Sequence, residues 1–258
     1  MFSKNKLALA LAVSAISISA QAEEFYIGGN IGYSDMDNTA TSGSFSSEFV
    51  TGPGTTLPAG VALPAGTDVG WNTNIDSGAA FSLTLGYNMG QIRFEAEFAR
   101  SMNEVDSHSN VATAGIALGS EDAGILVTGA PDNLGVSVAD LVADGRGEFD
   151  AKYLFANVYY DFDLGSPFKP YIGAGIGNAD VDIEYRPSGV TIINDDDSVF
   201  AYQVMAGVNF DATEQLTVFG GVRWRETDDI RVNADLFDAR FDMEMSSFVA
   251  ELGTRFNF

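Results

Sequence analysis

Charged residues stand at every second position of runs that are otherwise apolar. Arg93, Glu95 and Glu97 interrupt 92–98, Asp161 closes 154–162, Arg223 and Arg225 follow 216–222, and Glu251 and Arg255 lie within 248–258. Spacing of two puts such residues on one face of a β-strand. The chemistry open to them is mutual neutralisation, because guanidinium groups donate forked N–H bonds to carboxylates. Neighbouring strands would let Arg223 or Arg225 face Glu251. A set that pairs off completely plugs an interior; a set whose partners switch gates a passage. Asp195, Asp196 and Asp197, with Asp228-Asp229, offer the hard oxygen ligands that Ca²⁺ or Mg²⁺ takes. They lack the spacing of a defined calcium loop, and a solvated face is the plainer reading, so no metal site is assigned. His108, flanked by Ser107 and Ser109, is the only histidine. It falls in the middle of an expected loop, whereas general-base work needs rigid placement, so no catalytic residue is assigned.

The whole chain narrows the choice further. Its 258 residues carry 13 Lys and Arg against 36 Asp and Glu, a formal charge of −23 that argues against nucleic-acid binding. Zero cysteines exclude disulfides, thiolate zinc sites and cysteine nucleophiles, and one histidine excludes a multi-histidine metal centre. No cofactor is implied. At 46% hydrophobic the chain is rich enough for a core. Residues 1–22 read as an export signal: Lys4 and Lys6, an apolar stretch to Ile18, then Ala20-Gln21-Ala22. Residues 23–258 then form one domain.

Period-2 alternation dominates that domain. Eight strands are expected, built on Phe25–Ile27–Ile31–Tyr33, Phe81–Leu83–Leu85–Tyr87, Ile92–Phe94–Phe98, Leu154–Val158–Tyr160–Phe162, Ile172–Ala174–Ile176, Tyr202–Val204–Val208–Phe210, Leu216–Val218–Val222–Trp224 and Phe248–Leu252–Phe256–Phe258. Val181, Ile183 and Tyr185 fall on the register of Gly173 and Gly175, so a bulge is expected at 178–180. Connections alternate between long (35–75, 103–147, 187–197, 226–242) and tight. That rhythm, with one wholly apolar face, a polar opposite face and aromatic strand ends, predicts an all-β fold. The expected architecture is an eight-stranded antiparallel up-and-down transmembrane β-barrel, long loops extracellular and both termini periplasmic. Leu134, Val138, Leu141 and Val142 predict a short amphipathic helix after Pro131-Asp132, and 42–66 reads as a mobile surface loop.

Three segments carry a resemblance. Pro170-Tyr-Ile-Gly-Ala-Gly-Ile-Gly177 resembles the PY-x-GAG-x-G strand of small outer-membrane β-barrel proteins of the opacity-protein and OmpA-barrel type. The stretch 201–209 followed by 216–224 is similar to that family's penultimate hairpin. The ending with Gly253, Phe256 and Phe258 looks like the C-terminal signal read by the barrel-assembly machinery. The resemblance implies residence in the outer membrane of a Gram-negative bacterium, among lipid and lipopolysaccharide. It also implies a structural or surface-contact role, with an extracellular or host ligand met by acidic loops. The alternative is a narrow porin-like channel for small solutes; a lipid-modifying enzyme is disfavoured by the placement of His108.

Overall fold

The computed structural model describes residues 25–54, 58–126 and 134–258, so the expected export signal lies outside it. Its strands are β1 (Phe25–Met36), β2 (Thr39–Phe45), the short β3 (Phe49–Val50) and β4 (Ala62–Leu63), β5 (Asp68–Ile75), β6 (Gly78–Met89) and β7 (Ile92–Thr113). After β8 (Ile116–Ala117) and the helix α1 (Val138–Val142) come β9 (Gly147–Asp161), β10 (Phe168–Tyr185) and β11 (Ile193–Asp211). The chain ends with β12 (Leu216–Thr227), β13 (Ile230–Asn233), β14 (Ala239–Met243) and β15 (Ser246–Asn257).

Antiparallel ladders join β1, β6, β7, β9, β10, β11, β12 and β15 in that order, and β15 pairs back onto β1. The eight expected strands therefore close into a barrel, which removes every edge. Tight connections mark the end that holds the first and last described residues; Gly90, at φ +68, turns β6 into β7.

The far end departs from expectation. The long connections are largely not loops: the wall continues upward as a second storey. β2, β5, β13 and β14 prolong β1, β6, β12 and β15 across two-residue breaks at 37–38, 76–77, 228–229 and 244–245. Each break contains an acid: Asp37, Asp76, Asp228 with Asp229, and Glu244. β7, β9, β10 and β11 pass through unbroken. Above the breaks the order is β7–β5–β2–β14–β13, with β9, β10 and β11 completing the circuit.

β10 shows why the pattern misleads. In the lower storey Ile172 and Ile176 face outward, while Tyr171, Gly173, Gly175 and Gly177 face the lumen. In the upper storey Ala179, Val181, Ile183 and Tyr185 are buried inside and Asp180 and Asp182 are outside. The parity never changes. Ladders on both sides run without a shift from Tyr171 to Tyr185, so the bulge expected at 178–180 is absent. What inverts is the environment: apolar outside and polar inside below, the reverse above.

The upper interior is an aromatic and aliphatic core. Trp71 packs 4.7 Å from Phe241, and Tyr185 lies 5.7 Å from Phe149 and 6.1 Å from Trp71. Full burial of each such side chain contributes roughly 1.5–3 kcal/mol. The stretch expected as a mobile loop, 42–66, joins this core through Phe45 and Phe49, whose rings stack at 4.7 Å. The expected helix forms, but later: α1 starts at Val138, capped by Ser137 Oγ accepting from Asp140 N–H at 3.0 Å. Leu134 lies before it and is exposed; the start signal read at Pro131-Asp132 falls outside the described residues.

Candidate functional site: the charged interior of the lower storey

All eight charged residues read on the polar face line the inside of the lower barrel, seven of them buried and Asp161 half-buried. They form two clusters. In the one nearer the termini, Arg93 Nε donates to Asp161 at 2.5 Å and Arg93 Nη1 to Glu95 at 2.8 Å. Tyr26 Oη donates to the same Glu95 oxygen at 2.5 Å. Arg255 lies 3.9 Å from Glu95 and donates to the Asn209 amide oxygen. Rings complete the lining: Arg93 lies 4.3 Å over Tyr159, and Arg255 lies 5.1 Å over Phe219.

The second cluster centres on Glu97, which is fully buried. Arg223 donates to it at 2.5 Å and reaches Glu251 at 2.6 Å. The cross-ladder pairing expected for Glu251 is therefore made by Arg223. Arg225 instead approaches Glu97 at 3.4 Å, donates to Gln203 Oε1 at 3.0 Å and lies 4.7 Å over Tyr153. Asn157 and Gln203 amides donate to the other Glu97 oxygen at 2.7 and 2.9 Å. Four arginines thus meet four carboxylates (Glu95, Glu97, Asp161, Glu251), and the interior charge cancels.

Why the sequence places them so is plain from the ladders. Glu95, Glu97, Asn157, Gln203, Arg223, Glu251 and Arg255 all occupy the inward parity of their strands. Space comes from facing glycines: a Cβ on Gly175 would overlap the Asn157 amide, and one on Gly173 the Tyr159 ring. Desolvating these ions is offset by ion pairs and by the hydrogen bonds of the neutral amides and the Tyr26 phenol, although Arg223 Nε is left without a hydrogen-bond partner. Those neutral partners escaped the sequence reading; only their inward parity could have flagged them.

Below the clusters a vestibule of about 1530 Å³ opens at the terminal end, with Arg93, Asp161, Lys169, Asn209, Asp211 and Arg255 among its walls. Above them the aromatic core begins with Tyr153 and Phe155.

Asp195, Asp196 and Asp197 do not converge. Asp195 and Asp197 take the inward parity at the joint between β11 and β13, where the ladder lapses. Their carboxylates accept the backbone N–H groups of Asn233 and Arg231, each at 2.9 Å. Asp196 points to the outer face. Among the described residues no three His, Asp or Glu gather to hold a metal. His108 is not in a loop: it lies in β7 beyond a register shift near Asp106, buried in the upper core, with Nδ1 3.0 Å from Thr73 Oγ1. At the C-terminal strand, Gly253 faces the lumen against the Phe219 ring, and Phe256 and Phe258 pack edge-on at 5.8 Å. Phe258 N–H donates to Phe25 O at 3.0 Å, fastening the last strand to the first.

A continuous outward apolar band around a closed lower barrel, with charge confined inside, is the arrangement lipid demands. The family model described as "Outer membrane protein beta-barrel domain" matches residues 8–256. The chain belongs to that family. A curated relative from Brucella abortus (strain 2308), an uncharacterized protein, is 38% identical over 87 residues, covering 30% of this chain and 29% of that relative. The chain thus matches under a third of that relative's length. Among solved structures, OprG from Pseudomonas aeruginosa is similar with a TM-score of 0.48 and 15% identity, covering 92% of this chain and 97% of OprG. Neisserial surface protein A is similar at a TM-score of 0.44 and 16% identity, over 91% and 97% of the two chains.

Proposed function

We propose that this outer-membrane barrel is a sealed structural and surface-contact protein rather than a solute channel or an enzyme. The observation that carries the reading is the matching of four buried arginines by four carboxylates beneath an aromatic and aliphatic core. A solute entering the vestibule meets first the neutralised clusters and then the upper core. In this reading both termini are periplasmic and the upper storey projects outward among lipopolysaccharide. Gly253, Phe256 and Phe258 serve the barrel-assembly machinery.

The contact surface is the outer wall of the upper storey rather than loops. Glu104, Glu148 and Glu184 lie opposite one another on adjacent strands, as do Asp150, Asp182 and Asp196. Arg100 and Lys152, on the rung nearer the apolar band, hold Asp150 and Asp182 at 2.6 and 2.7 Å. The rest of the acidic face is presented to an extracellular or host partner. Catalysis is disfavoured by geometry: the hydroxyl beside His108 belongs to Thr73, and both are buried under the capped core.

The deciding experiment is single-channel recording of the mature protein refolded into a planar bilayer. A silent bilayer from a demonstrably folded sample is expected. Discrete, reproducible steps would overturn the sealed reading and make Arg93, Glu97 and Arg223 the gate to mutate.

A further inference from the structure

The upper storey has a single histidine at its centre and a weak joint in its wall. His108 lines a small apolar cavity of about 20 Å³ with Val69, Trp71, Val142, Tyr185 and Phe237. Its ring lies edge-on to Tyr185 at 4.8 Å and to Trp71 at 6.4 Å. Nδ1 has Thr73 Oγ1, but Nε2 has no hydrogen-bond partner, and neither does the buried Trp71 Nε1.

The groups around the ring offer a cation little. On β5 it meets Trp71 and Thr73, and on β10 the Tyr185 phenol, which donates to Met243 Sδ at 3.2 Å. Glu184 of β10 and Asp106 of β7 point to the outer face, and Asp235 and Asp238, flanking Phe237, are exposed. Asp144, just past α1, is the carboxylate whose field reaches the ring. It is occupied by Ser188 N–H at 2.6 Å and Arg146 Nε at 3.2 Å. The wall beside this core is closed between β11 and β13 by the Asp195 and Asp197 carboxylates in place of a ladder, with backbone bonds at the two ends of the gap, Asp228 N–H to Phe200 O at 2.9 Å and Asp235 N–H to Ile192 O at 2.8 Å.

We infer that the upper storey is an acid-released cap: protonation of His108 puts an unpaired charge into the apolar core, and the wall yields at the β11–β13 joint while the lower barrel stays closed. A second proton on the ring turns Nδ1 and Nε2 both into donors, and Nε2–H would face only apolar walls. Burial already holds the imidazole down to about 4, against the field of Asp144. The sign follows. The folded cap favours the neutral ring, so it is intact above the ordinary histidine value and loses stability as pH falls toward 4.

The test uses full-length mature protein refolded in lipid nanodiscs, with Trp224→Phe so that Trp71 alone reports. Acrylamide quenching of Trp71 is expected to rise at least threefold between pH 6.5 and 4, while the heat-modifiable gel mobility of the closed barrel persists. His108→Phe, which keeps an aromatic ring and removes the proton, is expected to keep Trp71 shielded across that range. Because the chain has one histidine, its imidazole NMR signals titrate as a single site, independent of any variant. An imidazole that titrates at 6.5 or above overturns the inference. So does a quenching step that His108→Phe leaves in place, or a Trp71 that stays shielded in the parent at pH 4.

Discussion

The two storeys share one wall, and on β9, β10 and β11 one alternation, yet solve opposite problems. Below, residues facing in are ionic or amide-bearing and those facing out are apolar. Above, Val181, Ile183, Tyr185 and Phe241 face in while Asp182, Asp196 and Asp242 face out. On β9, β10 and β11 the backbone treats both the same way, with inward parity unchanged from one storey to the other. A strand therefore does not have a buried side as such; its surroundings assign one. The lower storey is held by ion pairs and polar contacts that hydrocarbon outside makes obligatory, and the upper by apolar area removed from water.

That contrast can be broken from either side. The largest effect is expected for Glu97→Ala, which strands Arg223 and Arg225 without their shared carboxylate. A loss of about 3–5 kcal/mol follows from breaking a buried pair, read as a lower urea midpoint for the folded barrel in detergent. An unchanged midpoint would mean the network contributes nothing. Ile183→Ala should cost about 2–5 kcal/mol of the upper storey alone by leaving a cavity in the upper core. It should raise proteolysis of 181–199 while heat-modifiability survives; loss of both together would join the storeys into one cooperative unit.

Smaller effects sharpen the picture at the joint. Asp197→Ala leaves the Arg231 N–H without its acceptor, and Asp195→Ala does the same to Asn233, at about 1–2 kcal/mol each. Faster amide exchange at 231 and 233 than at 201–209 is the check. Ser137→Ala removes the α1 cap for about 1 kcal/mol, visible as faster exchange over 138–142 with no change in the barrel.

Much of the lower storey was legible because lipid imposes a single rule on every strand. Arg93, Glu97, Arg223 and Glu251 could be placed inside from spacing alone, and the expected pairing of strands 7 and 8 is made. Gln203, Asn157 and Tyr26 were not, since neutral polar residues at inward parity look like any others. The upper storey was misread for a specific reason. A reading that assumes one environment takes the inversion at Ala179–Tyr185 for a slipped register and the acid-bearing breaks for the starts of loops. His108 was lost with them: the shift near Asp106, which turns its side chain inward, has no signature in the residue types.

The four breaks also have a mechanical consequence. They fall on contiguous staves, β5/β6, β1/β2, β14/β15 and β12/β13, while the other four staves are uninterrupted. The protein is thus a tube with a stiff back and a jointed front. Thermal bending, or the drag of a bound partner, will not tilt the outer half equally in all directions. It will nod about the rigid staves, with its largest excursion on the side of the acidic joints. Spin labels on β2 and β14 should therefore report broader distance distributions to the lower barrel than labels on β9 and β10.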